Sequence, residues 1–183
     1  GRKDLAVGTL RCVGDPASRF EEDALRMLRC VRFAAEYELS VEAATWKEVK
    51  LGAPGLSRIA MERVRMELER MISGAHPYRA VRLLAESALL AWCKSRLRLP
   101  RSLGLSPKGA DDPLAALDEV PVPTARWVLW LDRMTLSEND ARHLFGSLRF
   151  SKAAQEELMR VFRFHRDIAA ADSGYARQAW VAA

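Results

Sequence analysis

Apolar and polar positions alternate along most of this chain with the period of an α-helix. Between about Phe20 and Glu36, apolar side chains return every three or four residues, with arginines on the opposite side of the same helical wheel. Proline, glycine and short polar stretches separate similar segments. Further helices are predicted over about 41–50, 58–73, 77–93, 113–119, 123–134, 137–147 and 151–170. No stretch alternates with the two-residue period of a strand, so the sequence predicts an all-α fold.

Three positions predict where helices begin and end. Asp15 followed by Pro16 predicts a helix start, because aspartate caps the first amides and proline suits the first helical position. Ser57 is the predicted cap of the helix at about 58–73, and Gly74 is its predicted end. The lead-in over 4–13 is predicted to be irregular or extended.

Large apolar side chains at helical spacings are predicted to form the core and not to stack on bases, since aromatic residues supply much of a small core. They are Met61, Met66, Met71, Trp92, Trp127, Trp130 and Phe145. Cys30 is likewise predicted to be a small packing residue.

Composition indicates a folded protein with a mild preference for polyanions. Of 183 residues, 49% are hydrophobic and 29% are charged, and the net charge is +5. The stretch 94–108 carries basic residues and no acidic one: Lys94, Arg96, Arg98, Arg101 and Lys108. This stretch either follows an RNA backbone or is an exposed loop. Its prolines and glycines predict a division into 1–93, a linker at 94–112, and a helical body at 113–183.

The cysteines, histidines and apolar runs bear on three properties: disulfide bonds, metal sites and membrane spans. Cys12, Cys30 and Cys93 are odd in number and widely spaced, which predicts reduced thiols and a cytoplasmic protein rather than disulfides. The histidines lack the spacing of metal ligands, so no metal site is predicted. No apolar run approaches about 18 residues, so no membrane span is predicted.

The stretch from 13 to 35 brings carboxylates close to arginines and supports two interpretations. Glu22 and Asp23 precede Arg26 by four and three residues, a spacing that favours ordinary ion pairs worth about 0.2–0.5 kcal/mol each. Arg29 and Arg32 have few carboxylates within one turn, so they leave positive charge that a phosphate could neutralise.

The second interpretation is recognition of a nucleotide base. Cytosine and adenine each present an amino donor beside a ring-nitrogen acceptor, whereas uracil and guanine present the reverse. Asp23 accepts and Arg26 donates, so the two side chains together suit C and A. A mismatched base leaves buried polar groups unsatisfied, which costs about 1–3 kcal/mol per group.

A family resemblance rests on one long block of residues: Gly14-Asp15-Pro16, Arg19-Phe20, Glu22-Asp23, Leu25-Arg26-Met27-Leu28-Arg29 and Arg32-Phe33-Ala34. The block resembles the neck-helix motif of class II tRNA nucleotidyltransferases, the family of the bacterial CCA-adding enzymes, with poly(A) polymerase as a close relative. The segments 4–13, 59–71 and 82–90 resemble the regions that flank this motif. The resemblance is strong over about 4–93 and weaker over 94–183.

The resemblance implies a fold and a set of roles. Full-length members carry an N-terminal head whose paired aspartates bind Mg²⁺, followed by a helical neck, body and tail. They add C, C and A to tRNA 3′ ends from CTP and ATP. Asp23 and Arg26 would be the base template, Glu22 would orient Arg26, and Arg29 and Arg32 would contact the nucleotide.

The chain departs from the family pattern because it contains no Asp-x-Asp and no candidate for the head. We therefore expect neck and body regions without catalytic residues or metal ligands, unable to add nucleotides alone. Two alternatives stay open at this point. One is a poly(A) polymerase or an A-only or CC-only adding relative, and the other is a non-catalytic helical module that binds RNA or protein.

Overall fold

The computed structural model describes residues 1–94, 113–132 and 136–171. Within these ranges the chain is predominantly helical, which confirms the all-α prediction. The α-helices are α1 (Arg2–Ala6), α2 (Pro16–Glu22), α3 (Leu25–Glu36), α4 (Ala43–Leu51), α5 (Met61–Ser73), α6 (Pro77–Ser87), α7 (Pro123–Asp132), α8 (Glu138–Ser147) and α9 (Lys152–Ala171). Short 3-10 helices cover Ala53–Arg58, Leu89–Trp92 and Pro113–Asp118.

Two short strands were not predicted from the sequence. Strand β1 (Thr9–Leu10) pairs in parallel with strand β2 (Ser40–Val41), Thr9 opposite Ser40. Strands of two residues are too short to show a period, so no alternation could reveal them. The two strands connect residues 4–13 to the segment just after α3. Residues 4–13 were predicted to be irregular or extended, and their first part lies in helix α1.

The helix boundaries agree with some of the predicted signals and contradict one. Asp15 caps α2 as predicted, since its carboxylate accepts the Ser18 amide at 2.9 Å, and Gly74 follows the last residue of α5. Ser57 is not the cap of α5. Its hydroxyl donates to the Pro54 carbonyl at 2.8 Å inside a 3-10 helix, and α5 begins only after Ala60.

The single helix predicted over about 20–36 is interrupted. The backbone of Asp23 is extended, with φ of −149°, so α2 ends at Glu22 and α3 begins at Leu25. The Asp23 side chain accepts the Leu25 amide at 3.1 Å and thereby caps the start of α3. Asp23 therefore lies at a junction between two helices and not on the face of α3.

The chain forms two compact units, Gly1–Leu105 and Ser106–Ala183. In the first unit, α3 packs against α5 and α6, and α2 packs against α4. The helix faces that meet there supply fully buried side chains: Met27, Leu28, Val31, Val64 and Ile72. The linker predicted at 94–112 falls almost entirely outside the described residues, so the predicted domain limits stay a prediction.

In the second unit, α7 and α8 pack against α9. The predicted core residues Trp127, Trp130 and Phe145 are buried, and in the first unit Met61 and Met71 are buried as well. Met66 and Trp92 were predicted to be core and are not, because each is 46% exposed. Among the described helices, none is both long and apolar enough to cross a membrane.

Candidate nucleotide-binding site

Arg26 is held by Glu22, the contact that the four-residue spacing predicts. Its Nη1 donates to Glu22 Oε2 at 2.5 Å and to the Arg19 carbonyl at 2.9 Å. Arg19 Nη1 donates to the same carboxylate oxygen at 2.8 Å. The hydrogen bond from Arg26 holds the pKa of the exposed Glu22 carboxyl below its usual 4.5. Glu22 therefore remains charged near neutral pH and fixes the direction of the Arg26 side chain.

The ion pair that the sequence suggests between Asp23 and Arg26 is replaced by another. Asp23 Oδ2 accepts from Arg63 Nη2 of α5 at 2.9 Å, while Oδ1 accepts the Leu25 amide. The physical reason is the helix break, since an extended backbone at Asp23 removes its side chain from the wheel on which the pair was drawn. An ionised carboxylate offers about four acceptor positions, so both oxygens keep capacity for further donors.

The pKa of Asp23 reflects this environment. Partial burial alone raises the pKa, but the hydrogen bonds from Arg63 and the Leu25 amide outweigh it. The net pKa lies below the usual 3.8. Asp23 is therefore an anion near neutral pH and can only accept hydrogen bonds.

Arg29 and Arg32 are neutralised by a carboxylate that the local sequence does not reveal. Glu67 of α5 accepts from Arg29 Nε at 3.2 Å and from Arg32 Nε at 2.9 Å, one on each oxygen. Only 2% of Glu67 is exposed. The expectation that Arg29 and Arg32 leave positive charge unneutralised considered only carboxylates within one turn, and Glu67 lies 38 and 35 residues further along the chain. A glutamate among the apolar positions of α5 was the available signal.

Arg32 and Arg29 differ in exposure. The Arg32 side chain is only 13% exposed, its Nη1 donates to Glu36 at 2.7 Å, and its guanidinium lies 4.1 Å from the centre of the Phe33 ring. The Arg29 side chain is 46% exposed. Within the part of the chain that the structure describes, the Arg29 Nη atoms have no hydrogen-bond partner. Arg29 can therefore meet a ligand, whereas most of the Arg32 side chain is covered, and the nucleotide contacts predicted for both arginines stay predictions.

An open cavity of about 230 Å³ lies beside these arginines, between α2, α3, α4 and β1. Four arginines are among its lining residues, namely Arg11, Arg19, Arg26 and Arg29, together with Thr45. Apolar side chains, among them Leu10, Phe20 and Phe33, line the remainder. No carboxylate of the described residues lines it, and Asp23 is not part of its wall. The cavity therefore brings arginine side chains and apolar side chains together.

The two buried cysteines, Cys30 and Cys93, are packing residues rather than reactive groups. Burial raises the pKa of the Cys30 and Cys93 thiols to about 12. Cys30 is buried as predicted, and Cys12 is half-buried at the cavity wall. The three thiols are free.

Two further predictions concern the basic stretch at 94–108 and metal ligands. Lys94 is exposed, whereas Arg96, Arg98, Arg101 and Lys108 lie outside the described residues. The RNA-contacting role of this basic stretch therefore stays a prediction. Across residues 1–94, 113–132 and 136–171, no three histidine, cysteine or acidic side chains gather as metal ligands would.

Comparison with known sequences finds CCA-adding enzymes among the relatives of this chain. The family described as "Probable RNA and SrmB- binding site of polymerase A" matches residues 38–93. A CCA-adding enzyme of Limosilactobacillus reuteri is 41% identical over 93 residues, which are 51% of this chain and 23% of the relative. One from Geobacillus stearothermophilus is 34% identical over 139 residues, or 76% of this chain and 33% of the relative.

Comparison with solved structures finds the same kind of protein. The CCA-adding enzyme of Bacillus stearothermophilus in complex with CTP superposes with a TM-score of 0.79 at 28% identity, over 91% of this chain and 40% of that one. A tRNA-processing enzyme with CTP shares the fold, with a TM-score of 0.64 at 15% identity, over 94% of this chain and 49% of that one. The chain thus spans less than half the length of the proteins that it matches.

Proposed function

Since the chain matches in sequence and fold a helical region of the class II tRNA nucleotidyltransferases, the family of the bacterial CCA-adding enzymes, we propose that it selects the incoming base in such an enzyme. In the whole protein, C, C and A would be added to tRNA 3′ ends from CTP and ATP. This chain would supply the amino-acid template and part of the tRNA-binding surface.

The observation that carries the proposal is that Asp23 and Arg26 are each fixed by a third group. Arg63 and the Leu25 amide hold Asp23, and Glu22 holds Arg26. Because the two side chains do not neutralise each other, both keep hydrogen-bonding capacity for a ligand. The Asp23 carboxylate would accept from the amino group of C or A, and Arg26 would donate to the adjacent ring nitrogen.

Discrimination follows from charge and from hydrogen-bonding direction. A uracil or guanine edge would present its carbonyl oxygen to the Asp23 carboxylate and its N–H to the Arg26 guanidinium. Both contacts are then mismatched, and each unsatisfied group costs about 1–3 kcal/mol. The site needs no proton transfer to make this choice, since both side chains are charged near neutral pH.

The phosphates of the nucleotide would be bound by Arg29, which lines the cavity and whose Nη groups have no hydrogen-bond partner among the described residues. Arg11 and Arg19 also line the cavity, but Arg11 pairs with Asp4 and Glu42, and Arg19 pairs with Glu22. Arg32 would act indirectly, through its packing against Phe33 and its bond to Glu67. Phosphoryl transfer depends mainly on positioning and on charge stabilisation, which these side chains can provide without reacting themselves.

Magnesium enters the proposal only through the family resemblance. The family resemblance implies that Mg²⁺ is bound by paired aspartates of the N-terminal head, and we propose the same for the whole enzyme. When bound there, Mg²⁺ would activate the tRNA 3′ hydroxyl and neutralise phosphate charge.

RNA binding and cellular location complete the proposal. The family match over residues 38–93 carries an RNA-binding description, and it supports contact with tRNA by this chain. The basic stretch from Lys94 to Lys108 would add contacts to the RNA backbone, which weaken as salt rises. We propose a cytoplasmic location, which is favoured by cysteines that are odd in number and widely spaced.

The test is to titrate the chain with each nucleotide while NMR monitors the binding, because NMR detects weak binding residue by residue. CTP and ATP should bind at least about tenfold more tightly than UTP and GTP, a preference worth roughly 1.4 kcal/mol. Arg26→Ala should abolish the preference, whereas Arg160→Ala, which removes an exposed arginine of α9, should not. Equal binding of all four nucleotides by the unaltered chain would contradict the proposal.

One observation favours a second candidate, a poly(A) polymerase or A-only adding enzyme. The matching family is described as a binding site of polymerase A, although the reported relatives and solved structures are CCA-adding or tRNA-processing enzymes. The same titration separates the two, because preference for ATP over CTP would favour the second candidate.

A further inference from the structure

We propose that two exposed aromatic side chains, Phe33 and Tyr37, bind a base from the single-stranded 3′ end of an RNA. They continue an exposed stripe of α3 that begins with Arg26 and Arg29. The inference rests on the proposed function, and it extends the site from the incoming nucleotide to the RNA that receives it.

The four residues of this stripe lie on one side of the helix. Positions 26, 29, 33 and 37 fall within about 80° on the helical wheel and span about 16 Å along its axis. Arg26 is half-buried, and the other three side chains are exposed. Arg26, Arg29 and Phe33 also line the cavity. The stripe therefore leads out of the cavity and ends at Tyr37, which directly follows α3.

The far half of the stripe is a pair of stacked aromatic rings. The ring centres of Phe33 and Tyr37 lie 6.1 Å apart, and their planes are inclined by 21°. The Arg32 guanidinium lies 4.1 Å from the centre of the Phe33 ring. Tyr37 is 60% exposed, so its ring keeps open surface on which a further flat group can stack. Nucleobases are such groups, and they stack on aromatic side chains with little regard to sequence.

Hydrogen bonds fix the backbone around Tyr37 before any ligand binds. Its amide donates to the Phe33 carbonyl at 3.1 Å, which continues the helical pattern. Arg79 of α6 donates to the Ala34 carbonyl at 3.1 Å and to the Leu39 carbonyl at 2.8 Å. These carbonyls lie on either side of Tyr37 in the sequence. Ordering the backbone in advance reduces the conformational entropy that stacking a base would cost.

The order of groups along the stripe matches the order in which the ligands must lie. In the proposed function, Arg26 contacts the base of the incoming nucleotide and Arg29 contacts its phosphates. The receiving RNA must bring its 3′ hydroxyl to these phosphates, since phosphoryl transfer depends on positioning. Phe33 and Tyr37 lie about 6 and about 12 Å beyond Arg29 along the helix axis. A base near the RNA 3′ end therefore reaches the aromatic pair.

The charges beside the aromatic pair favour a base over a phosphate at this end of the stripe. Glu36 is exposed and accepts from Arg32 Nη1 at 2.7 Å. Glu38 is also exposed, and its Oε2 lies 3.8 Å from His76 Nε2. These carboxylates disfavour a phosphate, whereas a nucleobase carries no charge. The RNA backbone would therefore stay near Arg29, with a base over the exposed ring.

The experiment separates stacking from charge with two ligands that carry the same phosphates. One is a uridine trinucleotide, and the other is its analogue without the bases. Uracil is mismatched to the proposed template, so binding of its base reports on the aromatic pair. The parent chain should bind the trinucleotide about fivefold more tightly than the analogue, toward the lower end of the range for a base stacked on an aromatic side chain.

Three variants assign this ratio to Tyr37. Tyr37→Leu keeps apolar bulk but removes the ring, so the ratio should fall to about one. Tyr37→Phe keeps the ring and should keep the ratio. Phe164→Leu removes a ring of α9 that is also 60% exposed, and it should leave the ratio unchanged. An equal ratio in the parent and in Tyr37→Leu would overturn the inference.

NMR of the parent chain provides a second measurement that needs no substitution. The trinucleotide should shift the Tyr37 ring protons upfield, because they would lie against a stacked base, and the analogue without bases should not. If neither ligand moves these signals, the aromatic pair is left to another occupant, such as a protein segment, and the inference is wrong.

The outcomes distinguish this inference from the proposed function. If the parent prefers CTP and ATP but Tyr37→Leu binds RNA as the parent does, the aromatic site is wrong and the template stands. If the parent shows no preference among nucleotides but Tyr37→Leu loses the contribution of the RNA bases, the template is wrong and the aromatic site stands.

Discussion

Asp23 already has two functions within the fold before a ligand binds. It caps the first turn of α3 through Oδ1, and it joins that turn to α5 through Oδ2 and Arg63. These two bonds fix the carboxylate while leaving acceptor capacity on each oxygen. The residue that would read the base is therefore ordered without being fully occupied.

The acid dependence of folding should report the contacts of Asp23. Its pKa is lowered in the folded chain, so its contribution to stability is complete above the unfolded value of 3.8 and is lost as the pH falls through the folded value. Asp23→Asn removes that contribution. The variant should lose less unfolding free energy than the parent between pH of about 4 and about 2, as measured by urea titration. Identical pH profiles would contradict this assignment.

Cys12 should report occupancy of the cavity. It is the one half-buried cysteine of the chain, it lines the cavity, and partial burial raises its pKa above 9.0. A thiol reagent at pH of about 8.5 should therefore label it before Cys30 and Cys93, which are buried. Saturating CTP should slow this labelling, and mass spectrometry measures the labelling rate. An unchanged rate would place the nucleotide elsewhere.

At the scale of the elements, the end of α6 carries local strain. Ala88 follows the helix with φ of 52°, in the left-handed region that a side chain disfavours by about 1–2 kcal/mol. Glycine relieves this strain but gains freedom in the unfolded chain. Ala88→Gly should therefore stabilise the fold by a net of about 0.5–1 kcal/mol in thermal unfolding.

The control for this prediction is the same substitution within α6. Ala85→Gly lies in regular helix, where glycine should destabilise by about 0.5–1 kcal/mol. If both variants are destabilised equally, the left-handed strain at Ala88 does not limit stability.

The elements also show which features a sequence can predict. The start of α2 is predictable because Asp15 and Pro16 act on the adjacent backbone. The contact between Asp23 and Arg63, 40 residues later, and the bonds of Glu67 to Arg32 join distant parts of the chain. A helical wheel records neighbours within one helix only, so it identified Asp23 and Arg26 as residues of interest but paired them wrongly.

At the scale of the whole molecule, the second unit depends on an aromatic core that the sequence predicted correctly. Phe145 is fully buried, and its ring meets the Phe150 ring edge to face at 5.7 Å. Phe145→Ala should lower the unfolding free energy of this unit by about 3–5 kcal/mol. The fluorescence of Trp127 and Trp130 monitors the unfolding. Phe164→Ala removes an exposed ring, and its effect should stay within about 0.5 kcal/mol. Equal losses from both substitutions would contradict the described core.

Base selection by this chain depends on a carboxylate and a guanidinium that together bind one base edge. The most direct measurement is the affinity of CTP relative to its analogue without the 4-amino group, in the parent and in Asp23→Ser. Serine still caps α3 but is too short to reach the base.

We predict that the parent binds CTP at least about tenfold more tightly than the analogue, as expected for a hydrogen bond to a charged group. In Asp23→Ser the two ligands should bind equally, which isolates the contact between the amino group and the carboxylate. The same affinity ratio in both proteins would contradict the central claim, because the amino group of cytosine would then not be read by Asp23.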